Sequence, residues 1–595
     1  MQQTARIKKG KAPTPLPQES APSIKGCKFV WQFKEVDQSL VNAIAVTHNI
    51  SLPIAHVLCA RGYTTQEQIR AFLFSSLEQD VHHPGLLKDS ERAVLRILKA
   101  IENQEKILIF GDYDVDGVTS CSLLMLALIP LDAQVNFHLP NRAKEGYGLS
   151  VNAVKRAVTN GYTLIITVDN GISAQAAAQC AFESGIDLII TDHHRPDQTL
   201  PPAFAIINPN QDTCPYPYKH LAGVGVSFKL ISLLYAYKKL PFPDKIYELL
   251  ALGTVADVVP LTGENRFWVR HGLSTINKQR SLALTVLANN SGLTTTSIDS
   301  LDIGFMIAPQ INALGRLEDP RDAVKFLISS DIAEVARIGK TLKDLNEDRK
   351  RIDRAIYDDI EGAIVTQRIN LDCENIIFAA HHAWPSGVIG LVAGKLMHNY
   401  GKPAFLFHLN NGMAKGSCRS IQEFDIFSAL QNNKHLLTSF GGHACAAGLS
   451  LKETNLPELK ENLEVQVLQK VTPDVLQPKI TIDAHLMLED ATGQCMADLR
   501  QLEPFGNHNP QPVFLLKNVT LLKAPQILKD KHVRCSIFSQ GVIKPIIFFN
   551  RPDLFSILQN LNDQPFDVAC HLVDNEWQGV CRIELQGLDI ALSTH

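Results

Sequence analysis

The chain has 595 residues, 45% of them hydrophobic and 20% charged, with a formal net charge of −4. That length excludes a single small domain and that composition is ordinary for globular cores. The slightly acidic balance argues against a protein that coats nucleic acid non-specifically, since phosphate contacts come from Lys and Arg, but it leaves room for a local basic channel.

Residues 1–26 carry Lys8, Lys9, Lys11 and several prolines and read as a disordered tail, with a basic arm touching nucleic acid as the alternative. No apolar run reaches the ~18 residues that span a bilayer. The longest candidate, 118–131, contains Thr119, Ser120, Cys121 and Ser122 and reads as a buried helix. The N-terminus lacks an apolar signal core, so a cytoplasmic location is expected. Twelve cysteines stand singly with no C-x-x-C pair, which fits a reducing compartment. Cys373, Cys418, Cys445 and Cys495 read as small buried hydrophobes.

From about 105 to 260, short apolar runs alternate with helical periods. The runs are 107–110, 163–168, 186–191 and 204–207, with a helix at 173–183 between two of them. Continuous apolar strands alternating with helices predict a parallel sheet covered on both faces. A charged, Pro-poor stretch at 331–360, broken only by Gly339, predicts a long connecting helix. Its Arg349, Lys350, Arg351 and Arg354 are either a solvated face or a basic edge toward DNA. A second α/β unit follows, with strands at 375–380 and 403–408 around a helix at 388–399. Beyond about 476 the pattern changes to short strands, among them 513–516, 532–538 and 542–549. These suit a small barrel of the OB type, though strand signals alone do not separate a barrel from a sandwich.

The strongest local feature is Gly111-Asp112-Tyr113-Asp114-Val115-Asp116-Gly117, directly after the strand at 107–110. Alternating carboxylates on a short turn aim several hard oxygens at one place, which suits divalent cations. Taken alone, such a turn is equally a solvated loop. Asp169 follows the strand at 163–168, and Asp192-His193-His194 follows the strand at 186–191. Asp257 sits in the apolar stretch 253–260, where an unpaired carboxylate is costly; it is a metal ligand, a satisfied core carboxylate or a helix cap. Three of these elements lie at strand carboxyl ends, the edge where open parallel sheets bind ligands. Together Asp114, Asp116, Asp169, His193, His194 and Asp257, with Asp112 close by, suffice for two ions. Such a pair activates water and neutralises a phosphoryl group during in-line attack. Mixed carboxylates and imidazoles suit Mn²⁺ and tolerate Mg²⁺.

The tripeptide Asp192-His193-His194 and the ordered acidic motifs around it resemble the DHH phosphoesterase superfamily. Further segments are similar to its single-stranded-DNA-specific exonucleases. These are Pro140-Asn141-Arg142 leading to Glu145-Gly146-Tyr147-Gly148, the helix start 221–226, and 308–316 with Asn312 and Arg316. Gly416-Ser417-Cys418-Arg419-Ser420 and Gly441-Gly442-His443 resemble the substrate-binding DHHA1 domain. Glu503-Pro504-Phe505-Gly506 with Asn509-Pro510 resembles the entry to an OB domain. One departure stands out: Trp384 is followed by Pro385, where the family has a histidine, which removes an imidazole.

The resemblance implies an α/β protein with five parts. They are a tail (1–26), a DHH catalytic domain with an N-terminal extension (27–330), a connecting helix (331–365), a DHHA1 domain (366–472) and an OB-like domain (473–595). It implies a metal-dependent 5′→3′ exodeoxyribonuclease acting in DNA recombination and repair, with two Mn²⁺ or Mg²⁺ ions. The metal ligands would be Asp112, Asp114, Asp116, Asp169, His193 and Asp257, with His194 also catalytic. Substrate would meet Arg142, Tyr147, Asn312, Arg316, Ser417, Arg419, Ser420, Gly442 and His443. Implied partners are single-stranded DNA, a single-strand binding protein and a RecQ-type helicase, with a monomeric chain and no membrane. Two rivals are a DHH phosphodiesterase for short oligonucleotides and a non-catalytic replication scaffold. The C-terminal OB-like region argues against the first and the intact acid and histidine set against the second.

Overall fold

The computed structural model describes residues 23–141, 145–293, 297–472, 476–561, 563–577 and 580–592. The chain forms two compact units. The larger spans residues 63–477 and 497–511. The smaller joins residues up to 62 with residues 478–496 and the C-terminal stretch from 512.

The larger unit is built on a five-stranded, all-parallel sheet. Its strands in spatial order are Gln134–His138, Lys106–Phe110, Leu164–Val168, Asp187–Thr191 and Ala205–Ile207. The three central strands are apolar and almost fully buried because helices cover both faces. Chain order doubles back between Lys106–Phe110 and Leu164–Val168, so the loops after these two strands open a crevice at the carboxyl edge. The strand Gln134–His138 does not stand out in the sequence. It is one of the two edge strands, and its alternating Gln, Val, Asn, Phe and His match its half-exposed position. The run read as a buried helix at 118–131 is one, over Val115–Leu128, with nearly every side chain enclosed.

Helix Ile332–Val365 runs 34 residues from an Asp331 N-cap. Of its four clustered basic residues only Arg349 is withdrawn from the surface, while Lys350, Arg351 and Arg354 stay exposed. Arg349 is buried and bonds Asn346, 3.6 Å from Asp353, while Arg351 pairs with Asp348 and Arg354 with Asp358. Beyond it, Ile377–His381, Ala404–Asn410, Met413–Arg419, Ala446–Lys452 and Leu437–His443 form a second sheet. Only the Ile377–His381/Ala404–Asn410 pair is parallel.

In the smaller unit, Phe514–Leu521, His532–Ser539, Val542–Phe548, Phe566–Trp577 and Val580–Leu592 pair in a ring. It closes through Thr520–Leu521 against Ile537–Phe538. This closed five-strand ring is the barrel rather than the sandwich.

Two sequence expectations change here. Residues 23–25, placed in the tail, form a strand against Val30–Phe33, and residues 27–62 pack with the barrel rather than with the catalytic sheet. The reason is Trp31. It is fully buried, and its Nε1 donates to Asp589 Oδ2 at 3.1 Å, while the Lys28 and Phe29 amides donate to the same carboxylate. Lys8, Lys9 and Lys11 lie outside the described residues. Cys418 and Cys495 are buried as expected, whereas Cys373 and Cys445 are exposed on loops. Among the described residues no helix is long and apolar enough to cross a membrane.

Candidate metal centre

Four loops at the carboxyl edge of the parallel sheet converge on one place. Asp114 caps helix Val115–Leu128, its Oδ1 accepting from the Gly117 amide at 3.1 Å. The preceding turn is tight: a Cβ on Gly117 would fall 2.5 Å from the Asp112 nitrogen, so only glycine fits. Asp116, on the first turn, is held from across the crevice. The amides of Gly223 and Val224, at the N-terminus of helix Gly223–Lys238, donate to its two oxygens at 2.6 and 2.7 Å. Exposed amides at a helix start favour an anion. Gly223 must be glycine, since a Cβ there would stand 2.6 Å from Asp169 Cβ and 2.7 Å from Asp169 Oδ1.

Asp169 lies in the left-handed region, φ +61, which turns its carboxylate back over the sheet edge. Its Oδ1 is 3.2 Å from His193 Nε2. Asp257 ends helix Lys245–Ala256, with its Oδ2 3.6 Å from the same nitrogen, and Asp116 Oδ2 lies at 4.0 Å. Three overlapping sets each bring ligand atoms within 4.8 Å of one another. They are Asp112, Asp114 and Asp169; Asp116, His193 and Asp257; and Asp169, His193 and His194.

The charge balance points to cations. Burial, then the neighbouring His194, holds His193 down to about 4, and the ring also hydrogen-bonds the Leu221 backbone. That bond keeps the ring proton away from Nε2, which presents a lone pair to the carboxylates. Burial and the Asp114 charge push Asp116 up to about 7, and burial with the Asp116 charge lifts Asp169 and Asp257 well above the carboxylate range. Asp169 Oδ1, His193 Nε2 and Asp257 Oδ2 are buried without a hydrogen-bond partner. Buried acceptors that face one another unpaired are costly unless a proton or a cation sits between them. Oxygen and imidazole donors in overlapping sets fit two divalent ions, with Asp169 common to two of the three sets.

The sequence marks Asp192 only as part of the tripeptide and does not point to Asn208 or Asn210, yet all three build this site. Asp192 opens the tripeptide, but its task is to hold the histidines. Its Oδ1 accepts from the His193 and His194 amides and sits 2.7 Å from His194 Nδ1, and its Oδ2 accepts from Ile172. Burial alone would drive His194 down, yet the Asp192 bond and charge leave it raised. Asn208 and Asn210 donate to the His194 and His193 carbonyls at 2.8 and 2.6 Å. The Asn-Pro-Asn run around Pro209, directly after a strand, was the available signal.

The expected substrate contacts divide. Tyr147 is 57% exposed at the rim, edge-on to His194 and Tyr113. Helix Ala308–Leu317 reaches both the metal turn and the loop at Gly387. Asn312 Oδ1 accepts from the Val115 amide at 3.2 Å, so it braces the turn, and Arg316 Nη1 donates to the Gly387 carbonyl at 2.8 Å. Ser417 and Arg419 lie beside the same loop, since a Cβ on Gly390 would meet both side chains. Gly442 and His443 are exposed on the edge strand Leu437–His443. Ser420 is a correction: it is buried and donates to the Phe424 carbonyl at 2.6 Å, which leaves it no reach toward substrate. Arg142 lies outside the described residues. The Pro385 carbonyl accepts from the Val388 amide at 3.0 Å in the turn that precedes helix Ile389–Tyr400, and His381 Nδ1 accepts from the Ala383 amide at 3.1 Å.

Comparison with known proteins agrees with this geometry. Residues 106–254 match the DHH family N-terminal domain, 373–468 the DHHA1 domain and 482–589 the RecJ OB domain. The chain is similar to the single-stranded-DNA-specific exonuclease RecJ of Bacillus subtilis, 36% identical over 95% of this chain and 71% of that one. The RecJ of Dickeya dadantii is 34% identical over 90% and 95%. Among solved structures, Thermus thermophilus RecJ with Mn²⁺ superposes with a TM-score of 0.80 at 27% identity, covering 95% of this chain and 80% of that one.

Proposed function

The chain belongs to the RecJ family of single-stranded-DNA-specific exonucleases, and on that premise we propose how its residues perform metal-dependent hydrolysis of DNA. It is an exodeoxyribonuclease that takes single-stranded DNA and acts in recombination and repair. The supporting observation is the convergence of three strand-end loops and the end of helix Lys245–Ala256 on a buried set of unpaired carboxylate and imidazole atoms.

Asp112, Asp114, Asp116, Asp169, His193 and Asp257 hold Mn²⁺ or Mg²⁺, with His194 beside them. When bound, the two ions supply Lewis-acid activation of water and neutralise charge on the phosphate. Asp192 fixes the orientation of both histidines, as partners of metal-bound imidazoles do. The Gly223 and Val224 amides hold Asp116 in place, so its position does not depend on ion loading. Tyr147 offers an aromatic edge at the mouth for the terminal nucleotide. Arg316, Ser417 and Arg419 line the approach and take backbone phosphates, Arg through its planar fork. Gly442 and His443 extend that track, and the barrel offers a stacking and electrostatic groove for the rest of the strand.

Family membership supports 5′→3′ polarity, a monomeric chain in the cytoplasm, and work alongside a single-strand binding protein and a RecQ-type helicase. Digestion of strands labelled at the 5′ or the 3′ end, with Mn²⁺ present, tests the reading. The 5′ label should be released first as a mononucleotide. Early release of the 3′ label would reverse the polarity, and no release of either would remove the activity.

A further inference from the structure

Residues 497–511 belong to the catalytic unit and not to the barrel that follows. They are fastened along their length. The buried Arg266 donates to the Leu502 and Gln501 carbonyls at 2.8 Å each, and Ser300 donates to the Phe505 carbonyl at 2.7 Å. The buried Asn509 closes the loop by donating to the Leu502 and Pro504 carbonyls, both at 2.8 Å. The tip of this loop meets the turn that carries Asp257. Leu261 donates its amide to the Asn507 carbonyl at 2.9 Å, and Asn507 Nδ2 donates to the Val258 carbonyl at 2.6 Å. A Cβ on Gly506 would lie 2.6 Å from Leu261 Cδ1, so the approach is close.

Val258 has φ +59, a conformation that β-branched residues rarely adopt. The residue is 63% exposed, so packing does not impose that backbone. Asp257 immediately precedes it, and Asp257 Oδ2 has no hydrogen-bond partner to direct it toward His193. The aim of that carboxylate is therefore set by backbone: on one side the Asp257 amide donates to the Gly253 carbonyl at 2.9 Å at the helix end, and on the other the turn that begins at Val258 fixes it.

We infer that Asn507 is a positioning residue for the ion site: its amide clamps Val258 in the left-handed conformation, which aims Asp257 at His193 and Asp116. The inference rests on the reading of Asp257 as an ion ligand.

The test uses the full chain, stripped of metal and titrated with Mn²⁺ by electron paramagnetic resonance, with melting followed in parallel. Four variants are compared: Asp257→Asn, Asn507→Ala, Val258→Gly and the double Asn507→Ala/Val258→Gly. Asp257→Asn checks the ligand reading by itself and should weaken Mn²⁺ binding. Asn507→Ala should weaken it about tenfold, the size typical for residues that orient metal ligands. Its metal-free melting temperature should hold, because Asn507 is exposed. Glycine adopts positive φ freely, so Val258→Gly should bind as wild type and should restore in the double variant what Asn507→Ala loses. Wild-type affinity in Asn507→Ala overturns the clamp, and so does a loss that Val258→Gly leaves uncorrected. Unchanged affinity in Asp257→Asn overturns it by a different route, by removing the ligand it serves.

Discussion

Replacing Gly223 with alanine places one methyl group at the most crowded point of the metal centre. The added carbon would stand 2.6 Å from Asp169 Cβ, where ordinary contact begins near 3.4 Å, so it is about 0.8 Å too close. Asp169 has little room to retreat. Its amide is tied to the Thr191 carbonyl at 3.0 Å, and its backbone already occupies the left-handed region. Gly223 is equally fixed, because its own amide holds Asp116 at 2.6 Å. Overpacking of this kind costs about 1–3 kcal/mol of stability, which leaves the protein folded. Displacing a reacting geometry by about 1 Å costs about 100-fold in rate, so kcat on single-stranded DNA should fall by about two orders of magnitude with Mn²⁺ affinity falling alongside. Gly225→Ala is the control. It lies two residues on, and its Cβ would meet Leu221 at 3.4 Å, an ordinary contact. Steady-state digestion, Mn²⁺ titration and melting of both variants make the comparison. Near-wild-type activity in Gly223→Ala would refute the idea that Asp169 and Asp116 are held by this helix start.

Two further outcomes follow from the charges and the packing. In the ion-free protein Asp116, Asp169 and Asp257 have raised pKa values, so the folded state binds more protons than the unfolded chain between about pH 4 and pH 7. The stability they contribute is present below that window and is lost as pH rises through it. Divalent cations must displace those protons, so the gain in melting temperature on adding Mn²⁺ should grow from about pH 5.5 to about pH 8. A gain that is flat or falls across that range would contradict the assigned carboxyls. In the smaller unit, Trp31→Ala should cost about 3–5 kcal/mol and weaken binding of long single strands while leaving Mn²⁺ affinity intact. Calorimetry with parallel strand-binding and Mn²⁺ titrations reads this out, and an equal loss of Mn²⁺ affinity would contradict the separate roles.

The catalytic sheet was legible because its central strands are buried on both faces and so read as continuous apolar runs. The acids of the first turn, Asp169 and the tripeptide stood out because each follows such a run, and Asp257 because it sits in an apolar stretch that ends a helix. Less legible were elements whose burial is partial. The edge strand Gln134–His138 alternates polar and apolar residues, and Met413–Arg419 and Leu437–His443 are rich in glycine and polar residues. Long-range packing was out of reach. Nothing near Trp31 signals a partner at Asp589, more than five hundred residues away. Nor does the sequence around Arg349 show that its neighbours Asn346 and Asp353 would claim it. Ser420 read as a substrate contact because the motif around it does; only the fold shows its hydroxyl turned inward.

The most direct test is to count Mn²⁺ bound per chain by electron paramagnetic resonance, in the wild type and in Asp169→Ala and His193→Ala. Two ions, close enough to broaden each other's signal, should bind the wild type. Either substitution should abolish that signal and DNA cleavage while the melting transition survives. Two tightly bound, interacting ions and full cleavage in Asp169→Ala would show that the four loops do not share a metal centre.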